Sequence, residues 1–244
     1  MDSQLGKEIG RGGYGVVYEC KNDANVCIKK SFKTSDCRLW SNEYKKMKDL
    51  ETNLGNSKKS FGRAHLIVPT KFYESDNECF MEMPRIYNPI GFKTLHPLLG
   101  DLDCNYTNKN RGVFKGLKQL KSDLDLTDKL LEEASYDLGV MMANIHFIGK
   151  NDAYDVEIYL GCPNVCTSGT HKLGFYIADF DLSEPITKYD GETINRMIWS
   201  LDAVPYFPTE GKMLDLFKSG YMKAVGSSSK YKDVAESILA EYPG

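Results

Sequence analysis

The first third of the chain reads as strands and one helix. Residues 5–18 and 25–30 carry β-branched and aromatic side chains on either side of the turn cluster Asn22-Asp23-Ala24-Asn25, which predicts consecutive antiparallel strands, the first interrupted by glycines. Residues 37–54 place Leu39, Trp40, Tyr44, Met47 and Leu50 near helical spacing. Residues 66–73 and 79–83 predict two more strands around Ser75-Asp76-Asn77. From Pro84 onward the pattern changes. Pro84, Pro89 and Pro97 punctuate a linker-like region, and residues 105–121 form a polar stretch rich in Lys and Asn. The clearest helix covers residues 126–148, with Leu130, Leu131, Ala134, Leu138, Met141, Met142 and Ile145 on one side. Residues 156–160 and 173–178 predict a strand pair, and 212–225 and 231–242 are helical with weaker patterning between them. No repeat is present, and residues 226–229 read as a short flexible join.

With 244 residues and 41% hydrophobic content, the chain can bury one substantial core, as a single domain or as two lobes sharing a cleft. A formal charge of −3 gives no overall electrostatic reason to expect nucleic acid or an anionic membrane surface. The first ten residues lack a secretory pattern, and no apolar run approaches the roughly 18 residues that cross a bilayer. The expectation is a soluble, cytoplasmic protein without membrane insertion, with delivery into a host cell left open. Seven cysteines at scattered positions argue against a disulfide scaffold and for reduced thiols. Cys162, Cys166 and His171 could supply three zinc ligands, but their spacing matches no common zinc pattern, and buried loop thiols are the plainer reading.

Gly10-Arg11-Gly12-Gly13-Tyr14-Gly15 matches GxGxxG, a weak signal alone because glycines also close ordinary hairpins. A dinucleotide-binding turn needs a helix straight after the glycines, whereas Val16-Val17-Tyr18 continues as a strand. The stretch therefore resembles the glycine-rich lid of protein kinases, and Val26-Cys27-Ile28-Lys29 stands where that family has its VAIK strand. The resemblance implies that the backbone of Gly10, Gly12, Gly13, Tyr14 and Gly15 covers the ATP phosphates and that Lys29 grips them. Such a lysine needs an acidic partner on the small-lobe helix. Glu43 is the first candidate and Glu51 the second. Cys79-Phe80-Met81-Glu82-Met83-Pro84 resembles the strand into the interlobe hinge, with Met81 as gatekeeper and the backbone of Glu82 and Met83 facing adenine.

The catalytic half is more divergent. Counting back from the apolar strand Ile158-Tyr159-Leu160 aligns residues 150–157 with the kinase catalytic loop, which puts Asp152 at the catalytic aspartate and Glu157 in place of the metal-binding asparagine. His146 lies too far from Asp152 to belong to an HRD motif and reads as a packing or hydrogen-bonding histidine. Asp179-Phe180-Asp181 resembles DFG with aspartate for glycine, so Asp179 would bind magnesium while Asp181 loses the glycine's backbone freedom. The pairing of NDxxDVE with DFD is also similar to minimal, atypical kinases, including a fungal family of kinase-like domains. There is no His-Arg pair before Asp152, no lysine two residues after it, where Tyr154 stands, and no APE motif. Ser183, Thr187, Tyr189 and Thr193 fall where an activation segment would run, and none is singled out as a phosphosite.

The resemblance implies an α+β, two-lobed kinase-like fold. Residues 1–83 would form a small antiparallel-sheet N-lobe and residues 84–244 a mainly helical, shortened C-lobe. It further implies ATP with Mg²⁺ or Mn²⁺ in the cleft and transfer of the γ-phosphoryl to a hydroxyl, on a protein substrate. Two rivals stay open: a small-molecule phosphotransferase of the aminoglycoside-kinase type, and a non-catalytic pseudokinase. Lys29, Asp152 and Asp179 together speak against the latter, because a binding module has no need of all three.

Overall fold

The computed structural model describes residues 4–33, 36–75, 78–91, 94–108, 112–163, 166, 173–226 and 230–243. Its first part is an antiparallel sheet with one long helix against it. Strands β1 (Leu5–Arg11), β2 (Gly15–Cys20) and β3 (Asp23–Ser31) follow one another, and helix α1 (Cys37–Leu54) has the predicted bounds. Cys37, Trp40, Glu43, Met47, Leu50 and Leu54 form its buried face at intervals of three and four residues, so a carboxylate sits in an otherwise apolar stripe. Val16-Val17-Tyr18 lies in β2, a strand as expected and not a helix.

The predicted strand over 66–73 is corrected. Residues 64–66 end a short strand of another sheet, Ile67 to Thr70 bridge the two sheets, and only Lys71–Ser75 joins the first. The reason is local: Pro69 cannot donate to a ladder and Ile67 instead hydrogen-bonds the carbonyl of Ile177. With β4 (Ser60–Phe61), β5 (Ala64–Leu66), β6 (Lys71–Ser75) and β7 (Glu78–Pro84) in place, the five-stranded sheet has the order β1-β2-β3-β7-β6, every neighbouring pair antiparallel.

The polar stretch 105–121 carries regular structure. It holds β9 (Asn105–Asn108), β10 (Gly112–Gly116) and the start of α2 (Leu117–Leu124), and β10 pairs in parallel with β8 (Leu95–Leu98). Helix α3 (Asp128–Ala143) begins at Thr127, whose hydroxyl accepts from the Leu130 amide at 3.2 Å. It ends in one π-turn, Asn144–Ile148. Strands β11 (Glu157–Gly161) and β12 (Gly174–Ala178) pair antiparallel as predicted, and β12 runs parallel to β5. Helices α4 (Gly191–Asp202), α5 (Gly211–Val225) and α6 (Lys232–Glu241) complete the chain, of which α4 had no predicted counterpart.

The main core lies among these later helices and β11–β12, built from residues such as Leu131, Leu138, Met141, Ile158, Phe175 and Phe217. Helices α3 and α5 touch backbone to backbone: a Cβ on Gly139 would meet the Phe217 carbonyl oxygen at 2.0 Å, and one on Gly220 the Tyr136 oxygen at 2.1 Å. The fold is thus α+β. Among the described residues, no helix is long and apolar enough to cross a membrane.

The expectation of reduced thiols is corrected at two pairs. Cys37 at the start of α1 is bonded to Cys79 on β7, and Cys162 to Cys166. With Cys162 and Cys166 committed to each other the three-ligand zinc set is dismantled, and His171 lies outside the described residues. Cys20, Cys27 and Cys104 are free thiols.

Candidate functional site

Lys29 is the centre of the arrangement. It ends the apolar run of β3, opposite Met81 on β7, and its ammonium lies 3.5 Å from Glu43 Oε2 and 3.5 Å from Asp179 Oδ1. The ring of Trp40 lies beneath it, 5.0 Å from Nζ. The register of three elements converges here: strand β3 supplies the cation, the buried stripe of α1 supplies Glu43, and the end of β12 supplies Asp179. Glu51, the second-ranked partner, is elsewhere, bound to Lys48 and Lys59.

Burial alone would lower the Lys29 ammonium, but Asp179 and then Glu43 outweigh it and hold Lys29 above the ordinary lysine value. Burial raises Glu43 above the ordinary carboxylate value against the attraction of Lys29, with Asp179 and Asp181 adding to the rise. Asp181 is raised too, by burial and by Asp179. Three carboxylates therefore share one ammonium, and the site is short of positive charge. Consistent with that deficit, Glu43 Oε2 and Asp179 Oδ1 are buried with no hydrogen bond among the described residues, each having only the long ion pair to Lys29.

The glycines of the β1–β2 turn divide into two kinds. Gly15 is demanded by packing, since a Cβ there would meet the Lys30 carbonyl oxygen at 2.4 Å and the Trp40 ring at 2.6 Å. At Gly12 and Gly13 a Cβ would meet nothing within 4 Å, so the fold itself gives no steric reason for bare backbone there. Tyr14 at the tip is exposed. Behind this turn lies a cavity of about 460 Å³, lined by Gly10, Val17, Cys27, Met83, Ile86 and Tyr159 among others. Glu82 does not line it: its carbonyl oxygen accepts from the Thr70 amide at 2.8 Å and its carboxylate pairs with Lys71 at 3.2 Å. The expectation for Glu82 is corrected, and the wall runs from Met83 to Asn88 instead. The cause is that Glu82 lies inside the sheet, opposite Ile28 of β3 and Lys71 of β6, so its backbone belongs to the ladders. Met81 is buried with Cys37, Trp40 and Cys79.

Residues 150–157 form a loop under strain. Of the five non-glycine residues with positive φ among the described residues, Lys150, Ala153 and Asp155 belong to it and a fourth is Asp179. Each such conformation costs on the order of 1 kcal/mol or more, and such costs cluster at functional sites. Asp152 is only 2% exposed. Its Oδ1 accepts from the amides of Tyr154 at 3.1 Å and Glu184 at 2.8 Å, and its Oδ2 from Nε of Arg196 on α4. Asp155, three residues further along this loop, is exposed. Glu157 stands opposite Ala178 in the β11–β12 ladder, next to Asp179, and Tyr159 donates its hydroxyl to Glu157 Oε2.

Two hard oxygen donors beside a polyphosphate suffice for magnesium, which keeps water and phosphate oxygens in its remaining positions. Asp179 Oδ1, buried and with the Lys29 ammonium at 3.5 Å as its charge partner, fits that use. Among the described residues no group of three or more His, Cys, Asp or Glu side chains could hold a metal unaided.

His146 is a core histidine. Its Nδ1 shares a hydrogen bond with the Tyr221 hydroxyl at 2.6 Å and its Nε2 with Ser200 at 3.4 Å, and burial lowers it to about 3 against a backbone hydrogen bond at Asp152.

Two residues of the site have no precursor in the sequence reading. Arg196 joins Asp152 across 44 positions, and Lys46 donates to the carbonyls of Asp181 and Ser183 across 135 and 137. Neither separation leaves a local pattern, although Lys46 is one turn from Glu43 on α1 and so on the face that Glu43 marks. No family model matches the chain, and no curated protein matches it.

Proposed function

We propose that the chain is an atypical, kinase-like phosphotransferase that uses ATP and magnesium, with residues 1–83 and 84–244 as the two lobes of one catalytic domain. The observation that carries this reading is Lys29 held at 3.5 Å by both Glu43 and Asp179, beneath glycines the fold does not need and beside an apolar cavity of adenine-binding size.

In this reading the adenine enters between Val17, Cys27, Met83 and Tyr159, and the amides around Gly12 and Gly13 approach the phosphates closely. Lys29 binds phosphate oxygens, its side chain already oriented by Glu43. Glu157 and Asp179 would hold magnesium, which when bound neutralises phosphate charge in a site where three carboxylates share one ammonium. Asp152 accepts the proton of an acceptor hydroxyl through Oδ2, the oxygen it shares with Arg196. The proposed acceptor is a protein hydroxyl.

A nucleotide-binding module without transfer is the second reading, favoured by the near-complete burial of Asp152. Incubating the protein with γ-labelled ATP, magnesium and a cell lysate separates the possibilities. Label on protein is the expected result. Label on small molecules alone moves the assignment to a small-molecule phosphotransferase, and ATP binding without any transfer supports the binding module.

A further inference from the structure

One cation of the site keeps an N–H group uncommitted. Lys29 is engaged by Glu43 and Asp179, and Lys46 by two backbone carbonyls and Glu184. Arg196 is different. Its Nε meets Asp152 Oδ2, its Nη2 donates to the Leu182 carbonyl at 2.9 Å, and its Nη1 has no partner among the described residues. The guanidinium carbon lies 4.2 Å from the centroid of the Tyr154 ring, and that ring is itself stacked on Trp199 at 4.6 Å and 20°. Two contacts and a stack therefore fix the plane of a guanidinium that is still 30% solvent-exposed. A planar, oriented, partly open guanidinium next to an acid suits phosphate oxygens, which it can meet with two parallel N–H groups. Tyr154, two residues after Asp152, carries no charge of its own and serves as the surface on which Arg196 rests.

We propose that Arg196 is a catalytic residue, the cation that meets the transferred phosphoryl group beside Asp152. The proposal rests on the phosphotransferase reading above. In the step, the acceptor hydroxyl oxygen bonds to the γ-phosphorus while the bond from that phosphorus to the β–γ bridging oxygen breaks, its electron pair leaving on ADP. The hydroxyl proton passes to the Asp152 carboxylate. Negative charge spreads over the three equatorial phosphoryl oxygens as this happens, and Nη1 of Arg196 is the group placed to receive it.

The test uses γ-labelled ATP with magnesium and a cell lysate, scored for label transferred to protein, together with calorimetric ATP affinity and melting temperature for each purified variant. Arg196→Ala and Arg196→Gln should lose on the order of 10²-fold or more in turnover, with ATP affinity within about threefold of wild type. Glutamine keeps N–H donors for Asp152 but no charge, so a purely structural arginine would be largely replaced by it. Arg196→Lys should recover much of the turnover, and added guanidinium should partly restore Arg196→Ala. If Arg196→Ala does not fold, the Gln and Lys pair decides. Wild-type turnover in Arg196→Gln, or a loss that follows the melting temperature and is not recovered by lysine, overturns this proposal alone. A wild-type protein that binds ATP and transfers nothing overturns it together with the transfer reading.

Discussion

Lys46 Nζ lies 2.6 Å from the carbonyl oxygen of Ser183, which ties α1 to the chain just beyond Asp179. Lys46 also reaches the Asp181 carbonyl at 3.2 Å and Glu184 at 3.1 Å. Ser183 in turn receives a hydrogen bond from Asn151, and the Glu184 amide binds Asp152. Helix α1, residues 181–184 and residues 151–152 are therefore one connected network. Lys46→Met leaves carbonyls without their donor and should lower stability by about 1–3 kcal/mol in urea denaturation. It should also reduce ATP turnover, since Asp179 is no longer anchored through its own segment. Unchanged denaturation and unchanged turnover would show the contact to be incidental.

The two kinds of glycine in the β1–β2 turn give a paired prediction. Gly15→Ala forces a methyl into the Lys30 carbonyl and Trp40 and should cost about 1–3 kcal/mol of stability. Gly12→Ala and Gly13→Ala meet open space and should leave stability within about 0.5 kcal/mol, while weakening ATP binding by roughly tenfold. Thermal melts and ATP titrations of the three variants check this. Equal ATP affinity in all three would remove the turn from the nucleotide site.

Helix α1 was legible because its buried face is written at helical spacing from Cys37 to Leu54. Lys29 was legible because an ammonium at the end of the buried pair Cys27-Ile28 demands a partner. Less local features were not. Strand β9 is largely exposed and polar, so it carries no alternation to read. The bond between Cys37 and Cys79 joins positions 42 apart through a packing that composition cannot show. Glu82 was misjudged because the sequence does not show how far β7 pairs with its neighbours, and pairing with both β3 and β6 engages its backbone. Arg196 lies on a helix the sequence did not reveal.

Acid should act through His146. Its folded value of about 3 lies below the ordinary 6.5, so the stability it contributes is present above pH 6.5 and is lost as pH falls toward 3. The unfolded chain takes up the proton that the folded core refuses. Wild-type stability should thus fall with acidification more steeply than that of His146→Gln, by about 1.4 kcal/mol per pH unit between roughly pH 6 and 4. Urea denaturation of both proteins across that range measures the difference, and parallel curves would refute it.

Glu157 should set the metal requirement. Glu157→Gln replaces a charged donor by a neutral amide oxygen and should raise the magnesium concentration for half-maximal turnover several-fold, with Mn²⁺ showing the same direction. Superimposable titrations of wild type and variant would remove Glu157 from the metal site and leave it as an acceptor for the Tyr159 hydroxyl.

The central claim is that the ammonium of Lys29, held between Glu43 and Asp179, receives a nucleotide. Isothermal titration of ATP into the protein with saturating magnesium tests it most directly. The account predicts one site in the wild type and binding weakened by at least about tenfold in Lys29→Met, with the variant's fold retained. No heat from wild type with ATP or ADP, in either Mg²⁺ or Mn²⁺, would contradict it.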